Sequence, residues 1–536
     1  MRVCRYMNTF QCKFPKVLFT KVLFILAGLC LTRTPAFAGG IDQAVNQALT
    51  PIADFMVSVV FFKFQVAGVG IPVVVLWLVL GALFCTFYLE FINVRGFKHA
   101  LKLIKGDYHD SEGGAGEISH FNALCTAVSG TVGIGNIAGI PIAIYMGGPG
   151  AIFWMMVAGF LGMSTKFVEC TLAVIFRKEN ADGTVAGGPM YYLTQGLAKM
   201  GKPRLGKYLG GFYAFGILVG CLGIGNMFQS NQAYSQFLVV TGGDASFFAD
   251  KGWLFGLLFA AVVFFVIVGG IRSIAKVAGK LVPFMAILYI CTALAVIVMN
   301  FKYIPGALSL IFTNAFSGEA IGGGILGAIV IGFQRAIFSN EAGLGSAAIA
   351  HSAVQTKEPI TEGFVAILEP TLDTLIVLAI TSLVITTSMV ADPVFGANLM
   401  AGKITGMAAS SAAFTAHFPF SKYLLAAAGM LFALSTALAW SYYGLNGWTF
   451  LFGENSKGKL FYNLMFSLCF ALGSAIKLGA LMDISDALVF LVCVPNVFGL
   501  FLLAPLVKAE LGIYMEKIRT GEIKETAACP QPVSSK

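Results

Sequence analysis

The chain is short of charge. Only 11% of its 536 residues are Asp, Glu, Lys or Arg, where a soluble protein carries about 25%. It is also short of the groups with which enzymes and metal proteins work. Its five histidines are scattered, at positions 99, 109, 120, 351 and 417, with no His-rich motif. That scatter argues against an intramembrane enzyme. No phosphate-binding loop is present, so no ATP drive is expected. The eleven cysteines include no CxxC pair and several lie in apolar runs. They read as small core residues rather than as a disulfide frame or metal site. What the chain has in plenty is apolar surface, 57% of all residues. These proportions describe an all-α polytopic membrane protein whose solvent is the lipid bilayer. Its net charge of +9 is no nucleic-acid signal, because the Lys and Arg residues sit between apolar runs, where they set topology.

Residues 1–38 read as a signal peptide. Arg2, Arg5, Lys13, Lys16 and Lys21 make a basic start, Val22 to Leu31 an apolar core, and Ala36-Phe37-Ala38 an A-x-A cleavage pattern. The alternative is a first membrane helix that stays in place. Such a leader suits a bacterial inner membrane. Residues 39–119 comprise an extracytoplasmic lead-in, a leading transmembrane helix from Ile71 to Val94, and a linker opened by Arg95, Lys98, Lys102 and Lys105. Further crossings are expected near 121–146, 151–176, 209–240, 253–270, 281–300, 320–350, 364–389, 422–444, 459–477 and 484–506. The basic segments 177–207, 271–280 and 507–536 then all fall on the cytoplasmic side, and the mature N-terminus outside. The total is about 11 crossings, one leading helix and a core of ten.

A core of ten divides into fives, 120–300 and 301–506. Five is odd, so the second half enters the membrane in the opposite sense, as in an inverted repeat. Both halves open with an interrupted helix. The first carries Ser129-Gly130-Thr131-Val132-Gly133-Ile134-Gly135-Asn136 at its centre. Each glycine weakens a helix by about 1 kcal/mol relative to alanine, and unwound backbone at that depth needs protein or a wet cavity beside it. The second carries Gly324, Gly327 and Gly332 and then Phe333-Gln334-Arg335-Ala336-Ile337-Phe338-Ser339-Asn340-Glu341. Charges there cost about 2.5–3.5 kcal/mol each on insertion scales, so they face protein or water. Interrupted helices at matching positions of two halves point to a transport site.

Three blocks carry a resemblance: Gly147 to Gly162 (GGPGAIFWMMVAGFLG), Gly187 to Tyr192, and Phe338 to Ser346. Together they resemble the sodium:alanine (amino acid–cation) symporter family over most of residues 65–510. Met156 stands where that family usually has a second tryptophan. The family is similar to the bacterial leucine transporter fold of two inverted five-helix repeats. The resemblance implies secondary active uptake of a small neutral amino acid, alanine or glycine, with sodium as the co-transported ion and no other cofactor. Alternatives are a proton-coupled carrier of the same fold and, from a different class, a channel or an intramembrane enzyme.

By that resemblance, Thr131, Gly133, Gly135 and Asn136 hold the substrate carboxylate. Phe333, Gln334 and Ser339, in a break expected at 333–339, stand near its amine. Carbonyls of Ser129 and Val132, with the hydroxyls of Ser435 and Thr436, are the implied sodium ligands. On residue chemistry alone, each of those hydroxyls could instead bond the carbonyl one turn back. Arg335 and Glu341 read as a buried pair or a gate. Asp373 and Thr374 read as a second ion site, a proton carrier or a polar contact. Asp373 and Glu369 lie four apart on one face. His351 is expected at a solvated helix end.

Overall fold

A computed structural model describes residues 50–523, apart from 67, 109–113, 181–182, 318–323, 405 and 476–478. The expected leader at 1–38, the end of the tail and the start of the second interrupted crossing lie outside the described residues. The lead-in is not wholly helical: β1 (Lys63–Val66) pairs antiparallel with β2 (Val69–Pro72), Lys63 opposite Pro72. A further two-residue ladder joins Lys178–Glu179 to Val185–Ala186. The rest is helices and their connections, as a bilayer requires of backbone that must satisfy its own hydrogen bonds.

The leading helix α1 (Val73–Tyr88) is followed by α2 (His120–Thr131), α3 (Ile134–Gly147) and α4 (Ala151–Ile175). The turn between α3 and α4 is built by Gly148, at φ +72°, and Gly150, where a Cβ would lie 2.3 Å from the Asn314 carbonyl. Next come α5 (Pro203–Leu222), α6 (Phe228–Thr241), α7 (Gly252–Ile267) and α8 (Gly270–Met299). The second half has α9 (Gly324–Asn340), α10 (Ser346–His351), α11 (Ile360–Pro370), α12 (Ala379–Ala391), α13 (Gly406–His417), α14 (Ser421–Phe452), α15 (Ser456–Gly473) and α16 (Gly479–Thr520). Among the described residues, six spans are long and apolar enough to cross a membrane, seven if the bent pair α2–α3 is one span. Large apolar side chains such as Phe265 and Val298 stand exposed on the outer surface, as lipid-facing residues do.

Three expectations fail here. Residues 271–280 are not a loop but the first turns of α8: the three basic residues among them sit on a helix that projects beyond its apolar part. The second break is not at 333–339, which is helical, but at 341–345, between α9 and α10. Glycines at 343 and 345 take positive φ there, and Glu341 does too, at +58°, so the chain breaks where that conformation is available. The third is α13, which no crossing anticipated; Ser410 on it donates to the Ile137 carbonyl of α3 at 2.7 Å.

α4 packs against α9 and α11, and α14 against α2, α5 and α8. Two π-helical stretches interrupt the long spans, Gly223–Met227 between α5 and α6, and Thr371–Leu378 between α11 and α12. Such bulges often re-aim side chains at working sites. The second packs against α2 and α3, beside the first break.

Candidate functional site

α2 and α3 meet at a 41° bend. Ser119 caps the start of α2, its hydroxyl accepting from Asn122 N–H at 3.3 Å. The helix ends because Val132 (ψ 93°) and Gly133 (ψ −167°) are extended. Gly133 N–H turns away from the helical acceptor Ser129 O and donates to the Asn136 side-chain oxygen at 2.9 Å. Asn136 N–H bonds Gly133 O at 3.1 Å instead of Val132 O. The break therefore strips Ser129 O and Val132 O of their helical donors. At the same point α3 begins, with its first amides and positive dipole end facing the gap. No side chain fits at Gly133, where a Cβ would lie 2.8 Å from Thr436 Oγ1.

That hydroxyl is buried and has no hydrogen-bond partner, and the same is true of Gln229 Oε1. Gln229 Oε1 lies 3.7 Å from the Gly133 Cβ position, while its amide nitrogen donates to Ile224 O at 3.2 Å. Two orphaned oxygens thus lie beside the unwound Gly133. Buried acceptors without donors are costly, and a cation satisfies them. Ser435 differs from its neighbour: its hydroxyl donates to Phe432 O at 3.0 Å, one turn back. Trp440 fastens α14 to α2 by donating to Gly130 O at 3.3 Å.

On the other side of the break lies a closed polar network. The Asn136 amide donates to Asp373 Oδ1 at 2.5 Å and to Ser339 Oγ at 3.0 Å. Ser339 and Thr374 hydroxyls donate to Asp373 Oδ2 at 2.9 and 2.8 Å, and Asn340 donates to Thr374 Oγ1 at 3.1 Å. All five residues are buried. Asp373 is thus reached from α3, from α9 and from its own π-helical turn, by neutral donors. That turn begins at Thr371, and it parts Asp373 from Glu369. Glu369 instead takes Lys166 of α4 at 3.0 Å, both side chains fully buried.

The structure brings together Ser129, Val132, Gly133, Thr436, Asn136, Ser339, Asp373 and Thr374. Gly135 faces Phe338 at 3.9 Å from its Cβ position, and Gly139, one turn on, faces open space. Thr131 Oγ1 leans back on the α2 carbonyls of Ala127 and Val128. Phe333 is buried within α9. Gln334 and Arg335 line a separate cavity. Arg335 and Glu341 do not pair: Arg335 approaches Met146 Sδ at 3.2 Å, and Glu341 accepts from Ser346. The break separates them: Arg335 lies within α9, whereas Glu341 lies just past its end at positive φ, turned toward Ser346. His351 is not solvated; it is buried and bonded to Glu362, which also takes His120.

Sequence reasoning missed Lys166 and Gln229. A lysine inside an apolar crossing is itself a signal, because it must find a buried anion. Gln229 gave no such signal, since only the π-helical turn before it aims it at Gly133.

The sodium/alanine symporter AgcS of Methanococcus maripaludis is 40% identical over 445 residues, covering 82% of this chain and 94% of AgcS. A Bacillus subtilis protein named "Probable sodium/glutamine symporter GlnT" is 33% identical over 456 residues, covering 84% of this chain and 89% of GlnT. Among solved structures, MhsT in complex with L-phenylalanine aligns with a TM-score of 0.50 at 14% identity, covering 75% of this chain and 99% of that one. That likeness concerns the fold alone, a LeuT-type transporter fold. The profile described as the sodium:alanine symporter family matches residues 53–528, and the chain belongs to that family of sodium-coupled amino-acid transporters.

Proposed function

We propose that the protein takes up a small neutral amino acid, alanine or glycine, with sodium by alternating access. The observation that carries this reading is the α2–α3 break, which frees two carbonyls from the helix and has Thr436 Oγ1 and Gln229 Oε1 orphaned beside its Gly133. Sodium is held by Ser129 O, Val132 O and Thr436, joined by Gln229. Ser435 completes that set only if its hydroxyl leaves Phe432 O. The substrate carboxylate lies on the first amides of α3, at Ile134 and Gly135, with Thr131 and Gly133 beside it. Asn136, Ser339 and Asp373 form the wall toward the amine, and Phe333 supports it from within α9. Bound sodium ties α14 to the broken helix and so raises substrate affinity, a coupling free energy between two sites.

Two inverted five-helix units, 120–300 and 301–506, rock around this site in our reading, with a leading helix outside them and eleven crossings in all. The home is a bacterial inner membrane, after removal of residues 1–38. A small substrate fits this reading, since Gly135 meets only the Phe338 ring, 3.9 Å from its Cβ position, and Gly139 meets nothing within 4 Å. One methylene more or less is worth about 1–3 kcal/mol in such a pocket, so glutamine is the comparison substrate.

A second reading, proton coupling, is favoured by one observation: Asp373 is fully buried and meets only neutral donors. Uptake of labelled alanine, glycine and glutamine into proteoliposomes separates the readings. The sodium reading expects concentrative alanine or glycine uptake with a sodium gradient and none with a proton gradient alone. Equal uptake on a proton gradient in sodium-free buffer overturns it.

A further inference from the structure

A cavity of about 140 Å³ lies between the N-terminal part of α16, the α9 helix and the apolar helix Thr50–Val60 that precedes β1. Three charged side chains line it: Arg335 from α9, and Asp483 and Asp486 from α16. Two of their atoms are buried without any hydrogen-bond partner, Arg335 Nε and Asp486 Oδ1. A buried donor and a buried acceptor, left open on one cavity, call for a ligand that carries both an acceptor and a donor. The remaining wall is the Gln334 amide and the apolar Val57, Phe61, Phe338 and Phe490.

The cavity's place in the membrane follows from α16. Asp486 lies near its start, and Lys517 and Arg519 lie in its last turn. At 1.5 Å per residue that separation is about 45 Å, more than the roughly 30 Å hydrocarbon core. With the basic end cytoplasmic, the cavity faces outside, and Asp483 is exposed at its mouth. Its inner wall is the Phe338 ring, which also lies 3.9 Å from the Gly135 Cβ position on α3. The Arg335 guanidinium sits 5.9 Å from the centre of that ring and is steadied by Met146 of α3. One aromatic ring therefore separates this cavity from the first break.

We propose that this cavity is an outer docking site for an amino-acid zwitterion, distinct from the central site. The carboxylate pairs with the Arg335 guanidinium, whose planar fork suits it. The ammonium group lies on Asp486, with Asp483 at the entrance, and a small side chain lies against Phe61 and Phe490. Movement of the Phe338 ring then opens the way to Gly135. The inference rests on the reading of the chain as an amino-acid carrier.

Equilibrium binding of labelled L-alanine to the full chain in lipid nanodiscs, at saturating sodium, tests it. The wild type is expected to bind a second, weaker equivalent beyond the central one. Arg335→Gln and Asp486→Asn each lose that equivalent and keep the central one. Val57→Trp fills the cavity without touching either charge and loses the same equivalent, so misfolding of a charge variant leaves the test intact. In proteoliposomes the three variants raise the KM for alanine about tenfold, with turnover within a factor of about two. A single equivalent in a wild type that still transports alanine overturns the docking site alone. Loss of all alanine binding and uptake in the wild type overturns the carrier reading as well. Two unchanged equivalents in all three variants, or loss of both in Arg335→Gln with none lost in Val57→Trp, also overturns the docking site.

Discussion

The two helix breaks look alike in sequence and are opposites in structure. At the first, α2–α3, acceptors are left open: Ser129 O and Val132 O lose their helical donors, and Thr436 Oγ1 and Gln229 Oε1 have none. At the second, α9–α10, the protein itself fills the places of the missing donors. Asn496 of α16 donates to Gly343 O at 2.8 Å and to Glu169 at 2.6 Å, and Tyr213 donates to Leu344 O at 2.8 Å. Ser346 closes onto Glu341. Unwinding inside a membrane thus serves two ends. Where side chains staple the freed carbonyls, the break is a structural joint. Where they leave them open, it is a place for a ligand.

Behind the stapled break stands the charge of α4. Lys166→Met is expected to have the largest effect, because it leaves Glu369 buried without its cation. Removing one partner of such a pair costs about 3–5 kcal/mol. Thermal melting in detergent should fall steeply and recover in Lys166→Met with Glu369→Gln. A single variant that melts like the wild type would show that the pair carries no structural role.

Next in size is Asn496→Ala, which unstaples the second break. It orphans Gly343 O and Glu169, at about 1–3 kcal/mol per buried group. The surviving folded protein should keep its sodium dependence. A large shift in the sodium concentration for half-maximal uptake would erase the distinction between joint and site.

The smallest effects on stability belong to the open break. Thr436→Val removes an unpartnered hydroxyl, so the protein should melt no lower than the wild type in sodium-free buffer. Yet its sodium requirement for half-maximal alanine uptake should rise about tenfold, or about 1.4 kcal/mol. Ser435→Ala loses only a bond within its own helix, and should shift that requirement by less than about twofold. Equal shifts in the two variants would put both hydroxyls on the ion.

Much of this was available in the residues. Low charge and long apolar runs determined helical crossings in a membrane, since of the two structures that satisfy their backbone there, helix and closed barrel, only the helix is built from apolar runs of about 20 residues. Glycines around Val132, with Asn136 just beyond, marked the first break to within two residues, because a cluster of weak helix formers is a local property. The family blocks named the class of transporter. Tertiary structure decided what local chemistry leaves open. It moved the second break from 333–339 to 341–345, since positive φ and the staples from Asn496 and Tyr213 choose the point of rupture. It sent Arg335 and Glu341 to different partners, because the helix ends between them and Glu341 turns with the break. It drew Gln229 of α6 and Thr436 of α14 to one glycine of α2–α3. It also gave Ser435 a partner and left Thr436 with none. Two adjacent hydroxyls are equivalent in sequence. On a helix they point about 100° apart, and only the packed neighbours say which one faces the gap.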